Sequence, residues 1–310
     1  NGLIQDVASN LPRIDYTGGV GSWKFEPQRT NLIPYSQDII TGWSTIRVTV
    51  QNNQTISPDG VLNAALSTVT SDSGSHASFE TLNGVVTAGN NYYISCFVKK
   101  STTRYIRLNE GYVNDVVTFD LDTQTFVITQ GSPTDVIFED YGNGWYRCIA
   151  TATNGYFYWI LSDNGGISVT ANGTDGLYIW GAQVEAGSYP TSYIKTNGSA
   201  VTRSAETANG SGDAATFNDS GGVLMAEISA LADDETNRAI TLSDGTTNNV
   251  VEMFYSSGGS NRIRFQIRVN GVGGDNLDFI TTNYNVEDYN KIAIKYKLND
   301  AQVWINGTKI

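Results

Sequence analysis

Asn-Gly pairs punctuate this chain at 83–84, 143–144, 154–155, 172–173, 270–271 and 306–307. Each sits between short runs in which apolar and polar residues alternate. Asn and Gly tolerate the positive φ of tight hairpin turns, and a period of two gives a strand one buried and one solvated face. A chain written this way folds into antiparallel sheets. Runs rich in Thr, Val, Ile, Tyr and Phe predict strands over 45–50, 62–70, 77–82, 92–99, 104–109, 116–121, 136–141, 145–153, 156–161 and 176–185. A second set covers 222–229, 239–243, 250–255, 262–269, 275–281, 291–297 and 302–305. Only 230–236 offers a turn or two of helix. The expected fold class is therefore all-β, as two antiparallel β-sandwich domains.

A length of 310 residues accommodates two such domains. Strand-like sequence gives way after 195 to stretches rich in Ser, Ala, Thr, Asn and Gly. The expected layout is an extended arm over 1–28, a first sandwich over 29–195, a linker over 196–208 and a second sandwich over 209–310. The turn at 306–307 is followed only by Thr308, Lys309 and Ile310, so the second sandwich is expected to lack its closing strands.

Charge and rare residues exclude several functions. Nineteen basic against 31 acidic residues leave a net charge of −12. Such a surface does not favour nucleic acid or anionic lipid, both of which need clustered Lys and Arg. No apolar run approaches the ~20 residues of a membrane-spanning helix, and no membrane insertion is expected. Two Cys and one His cannot supply a Cys/His zinc site of three or four ligands. Cys96 and Cys148 fall in predicted strands, where buried free thiols are expected.

The chain is read as no enzyme. His76 is the sole histidine and has no Gly-x-Ser-x-Gly elbow to serve. Glu139-Asp140 and Asp233-Asp234-Glu235 are adjacent carboxylates, which a strand would point to opposite faces, whereas glycoside hydrolysis needs a facing pair. Gly18-Gly19-Val20-Gly21 lacks the Gly-Lys-Ser/Thr ending of a phosphate loop. Asp120-Leu121-Asp122-Thr123-Gln124 reads as a hairpin turn in place of a calcium loop. Trp23, Trp43, Trp145 and Trp180 read as structural. Sugar binding has the best support from residue types, because aromatic faces stack on pyranose rings while amides and Arg bond the hydroxyls. Tyr156-Phe157-Tyr158-Trp159 is aromatic on both faces of one strand. In 104–109, Tyr105, Arg107 and Asn109 share a face. If these strands lie in one sheet, Tyr105, Arg107, Tyr156 and Tyr158 form a platform, with Asn109 and Tyr112 at its rim. The same residues equally suit a core or a subunit interface, and the sequence leaves both open.

Three blocks together resemble structural and adhesion proteins of tailed bacteriophages. They are Pro12–Tyr16 leading into Glu26–Leu32 and Tyr35–Asp38, then Tyr141–Cys148, then Ile179–Ile194 ending in Ser199–Ala205. The resemblance implies a jelly roll similar to carbohydrate-binding modules, followed by a concanavalin-A/laminin-G-like sandwich. For the second domain it rests mainly on Val303–Gly307. It implies a tail-fibre or head-fibre component on the virion surface, active in display or host attachment. Its partners would be other virion proteins, a host surface glycan and further copies of itself, a trimer being one arrangement. No cofactor is expected beyond a structural calcium ion, for which the resemblance puts forward Asp38; the closing strand carries Trp180-Gly181-Ala182-Gln183 where acidic residues would stand. Two other readings remain: a purely architectural virion module, and a polysaccharide-degrading tail enzyme.

Overall fold

The computed structural model describes the chain except residues 1–3, 9, 17–18, 82–85, 88–89, 110–115, 154–155, 163–164, 167–168 and 219, and the side chains of 81, 156, 158, 169–170 and 272–276. It divides into two compact units, 1–207 and 208–310. The chain is all-β, and no described residue is helical. No helix among the described residues is long and apolar enough to cross a membrane.

In chain order, unit 1 begins with β1 (Ile14–Asp15), β2 (Ser22–Trp23), β3 (Arg29–Asn31), β4 (Ser44–Ile46), β5 (Val48–Ile56) and β6 (Leu62–Val69). Next come β7 (Ser73–Gly74), β8 (Ala77–Thr81), β9 (Tyr92–Lys100), β10 (Tyr105–Asn109), β11 (Val116–Asp120) and β12 (Thr125–Gln130). The unit ends with β13 (Val136–Gly142), β14 (Trp145–Ala152), β15 (Tyr156–Ser162), β16 (Val169–Thr170), β17 (Gly176–Ala186) and β18 (Val201–Arg203). Two six-stranded sheets carry it, ordered β12-β11-β10-β15-β8-β4 and β13-β14-β9-β17-β6-β5. Every pairing is antiparallel, as hairpin-length connections allow. Alternation decides what each strand buries. Ile106, Leu108, Phe157, Trp159 and Leu161 of one sheet meet Ile94, Cys96, Val98, Ile179 and Val184 of the other in a single core.

Cys96 and Cys148 face each other across β9 and β14, both free and buried. Burial pushes both thiols above their ordinary range. The segment Leu121–Gln124 is a turn between β11 and β12, with the Asp122 N–H donating to Asp120 and Gln124 at positive φ. The acidic turn at 120–124 is thus accounted for by hairpin geometry.

The chain ends of unit 1 are fastened more tightly than an arm and a linker would be. Residues 1–28 include the β1–β2 hairpin, and β18, inside the expected linker, pairs with β3. Between them lies a buried carboxylate, Glu26, with Arg203 at 2.8 Å, Arg13 at 3.0 Å and Lys24 at 3.7 Å. Ser192 donates to it through its backbone N–H and its hydroxyl. Arg13 also grips Glu206 with its Nε and Nη2. Asn31 is saturated: its amide donates to the carbonyls of Ala182 and Ile194, and its Oδ1 accepts from Ile33 and Val184. Each end therefore satisfies polar groups of the other, and the sandwich closes. Trp43, Trp145 and Trp180 are buried as expected, whereas Trp23 is exposed on the hairpin.

Unit 2 comprises β19 (Gly221–Ile228), β20 (Arg238–Ser243), β21 (Val250–Tyr255), β22 (Ile263–Val269), β23 (Val272–Thr281), β24 (Asn290–Lys297), β25 (Gln302–Ile305) and β26 (Thr308–Lys309). Two four-stranded antiparallel sheets, β19-β24-β25-β26 and β20-β21-β22-β23, enclose a core of Met253, Ile263, Phe265, Ile292, Ile294, Val303 and Ile305. Residues 230–236, the one expected helical turn, form none. There the backbone is spent on the opposite loop, Ala230 N–H bonding the Val286 carbonyl.

Candidate functional site

The strands holding Tyr105 and Tyr158 are neighbours. Antiparallel register sets Arg107 opposite Thr118 of β11 on one side and opposite Ile160 of β15 on the other. Asn109 lies between Val116 and Tyr158, and Tyr105 between Asp120 and Ser162. Since Ile106 and Leu108 face the core, Tyr105, Arg107 and Asn109 occupy the outer face of this sheet. Tyr112 lies outside the described residues, as do the side chains of Tyr156 and Tyr158.

The outer face is roofed at these positions. Arg107 is 4% exposed and Asn109 2%, too little for an open stacking platform centred on them. The roof is the segment after β15. Gly165 accepts a hydrogen bond from Arg107 Nη1 at 3.0 Å, and a Cβ added to it would sit 3.7 Å from Thr118. Arg107 Nη2 reaches only Thr129 Oγ1, at 3.4 Å, which is long for a hydrogen bond. Burial pushes the Arg107 guanidinium below its ordinary pKa. Beneath this roof, Arg107 Nε, Asn109 Oδ1 and Thr118 Oγ1 are buried without a hydrogen-bond partner. A buried polar atom left unpaired costs about 1–3 kcal/mol. Three on adjacent strands of one face mark a place prepared for polar groups from elsewhere. Tyr105 is half-buried, with Arg104 stacked 4.9 Å from its ring and itself held to Asp120 by bonds of 2.8 and 2.6 Å.

The remaining candidates behave structurally. Asp38 Oδ1 accepts from the N–H groups of Ile40 and Thr41 and from Asn52. These bonds hold its carboxyl at about 2, against the ordinary value near 4, although burial works the other way. Among the described residues, no group of three or more His, Cys, Asp or Glu side chains is placed to hold a metal ion. His76 is fully buried and neither ring nitrogen has a partner. Glu139 and Asp140 are consecutive on the edge strand β13. Asp233 and Glu235 each accept from a loop N–H, of Asn261 and Gly258, which employs them in holding turns of unit 2.

Sequence reading reached Arg107 and Asn109 through alternation. It missed Thr118 and the Gly165 roof, because both depend on pairings that no local pattern records.

No family model matches the chain, and no curated protein matches it. Among solved structures, the CBM22-1 xylan-binding domain from Paenibacillus barcinonensis Xyn10C is similar over 51% of this chain and 92% of its own, at 12% identity and a TM-score of 0.29. A likeness that weak carries no argument about function.

Proposed function

We propose that this chain is a non-catalytic attachment protein of a virion surface, whose first unit takes a glycan at the outer face of the β10–β11–β15 sheet. One observation carries the reading: a guanidinium edge, an amide oxygen and a hydroxyl stand unpaired and buried together at Arg107, Asn109 and Thr118. That set needs a ligand that both donates and accepts, as sugar hydroxyls do. The virion setting draws on the three sequence blocks that resemble phage adhesion proteins. Many copies on one particle would turn weak single contacts into firm attachment. Thr118→Val keeps the side-chain volume and removes the hydroxyl. On a glycan array, the full chain is expected to bind, and Thr118→Val and Asn109→Ala to bind at least about tenfold more weakly, with unchanged melting temperatures. Equal binding by both variants overturns the assignment.

A specific observation also favours an architectural role. Sheet edges are usually blunted by brevity, charge or bulges. In unit 1, β4 has three residues, β13 carries Glu139 and Asp140, and β5 is broken by register shifts. The remaining edge, β12, is Thr-Phe-Val-Ile-Thr-Gln, exposed along its length and uncharged. Two-fold pairing with a second copy would set Val127 against Ile128 and Phe126 against Thr129, burying no charge. Sedimentation of the full chain is expected to show an oligomer that Val127→Lys dissociates. A monomeric wild type, or an oligomer indifferent to the lysine, removes this reading.

A further inference from the structure

We infer that the sugar taken at Arg107 carries a carboxylate, so that the ligand is a uronic-acid-containing glycan; this rests on the glycan-binding reading above. The argument is about one edge of one guanidinium. An arginine binds a carboxylate best side-on, through Nε and Nη2 together. This chain uses that edge repeatedly. Arg104 meets Asp120 through Nε and Nη2 at 2.8 and 2.6 Å, Arg264 meets Asp278 through the same atoms at 2.7 Å each, and Arg13 meets Glu206 likewise. In Arg107 the same edge is open: Nε has no partner and Nη2 has only the long contact to Thr129.

Buried cations normally find compensation, since an unpaired charge removed from water is strongly unfavourable. Arg13 and Arg203 share Glu26. Arg147, equally buried, bonds Ser95 and lies 5.6 Å from the Phe97 ring centre. Arg107 has a single backbone carbonyl, and no ion pair or ring contact with any described residue. That is notable in a chain with 31 acidic residues. The fold buries a guanidinium, pairs it with none of those carboxylates, and leaves free the edge that three other arginines use for one.

The neighbours narrow the anion. Asn109 Oδ1 can only accept, so it asks for a donor beside the anionic group. Thr118 Oγ1 serves either role. A fully ionised inorganic anion offers acceptors alone, whereas a uronic acid brings a planar carboxylate with hydroxyl donors on the same ring. Arg107 would take the carboxylate, and Asn109 and Thr118 the adjacent hydroxyls.

The test compares three ligands on the full chain by calorimetric titration: an oligogalacturonate, the same oligosaccharide with its carboxyls reduced to primary alcohols, and a neutral oligosaccharide bearing sulfate esters. The oligogalacturonate is expected to bind about tenfold or more tightly than its reduced form. Arg107→Met should erase that preference, and Arg107→Lys, which keeps charge but loses the side-on edge, should restore only part of it. The wild-type comparison stands even if a variant fails to fold. Equal or tighter binding of the reduced form, or tighter binding of the sulfated sugar, overturns the carboxylate while leaving a glycan site. Failure of all three, together with a blank array, overturns the glycan site itself.

Discussion

Glu26→Gln is expected to lower the melting temperature of unit 1 by roughly 5–15 °C at pH 7. Glu26 is nearly solvent-free, and three cations converge on it from segments far apart in sequence. Removing one member of a buried ion pair typically costs about 3–5 kcal/mol, because the partners stay buried without compensation. Here Arg13 retains Glu206, and the side chains of Arg13, Lys24 and Arg203 keep 20–31% of their exposure. We therefore expect about 2–4 kcal/mol, and each kcal/mol moves the melting temperature of a domain this size by about 2–4 °C. The pH dependence has a definite sign. Burial alone would raise the Glu26 pKa, but Arg203, Arg13 and Lys24 together hold it below its ordinary value. A carboxylate with a depressed folded pKa stabilises fully above its unfolded pKa, near 4.3, and loses that contribution as the pH falls through the folded value. Wild type and Glu26→Gln should thus converge in acid. Scanning calorimetry from pH 7 downward tests this. No gap at neutral pH, or one that widens in acid, sinks it.

That latch gives the resemblance to phage proteins a physical content. Arg13, Glu26, Asn31, Ser192 and Arg203 all belong to the blocks that carry it. In the structure they fasten the two ends of unit 1 to each other. The blocks therefore describe how this sandwich is closed, and the site at Arg107 lies outside them.

Legibility followed burial. Strands with one buried face, such as β10, β14 and β17, were readable because alternation is the imprint of a core on a sequence. The edge strand β12 was not, since all six of its residues are exposed and leave no such imprint. The pairs β3–β18 and β7–β16 were hidden for another reason: their partners lie far along the chain and each is only two or three residues long. Trp23 misled because its size suggested burial, yet it packs only near Phe25 on an exposed hairpin. Arg107 and Asn109 emerged from periodicity. That they are buried, and that Thr118 and Gly165 join them, follows from non-local contacts alone.

The second large effect belongs to Phe97, at the centre of the aromatic cluster on the outer side of the β9 sheet. Its ring is fully buried, 4.8 Å from Tyr141, 5.3 Å from Trp180 and 5.9 Å from Tyr193, all in edge-on geometry. Edge-to-face pairs add about 0.5–1.5 kcal/mol each beyond burial, and Arg147 adds a cation over the same ring. The backbone yields to this ring as well. The register of β17 shifts between Trp180 and Gln183, and Gly181 there has φ +65°, with an added Cβ only 2.8 Å from Phe97. A packed site that cannot collapse keeps its cavity when emptied, so Phe97→Ala is expected to cost about 3–5 kcal/mol. Phe97→Leu, which fills most of the volume, should cost less than half as much. Unit 2 has a core of its own around Met253 and Phe265, so calorimetry should show one transition falling by roughly 10 °C and the other unmoved. A shift below about 2 °C would mean that the aromatic cluster is ornamental to stability; both transitions falling together would mean that the two cores do not melt independently.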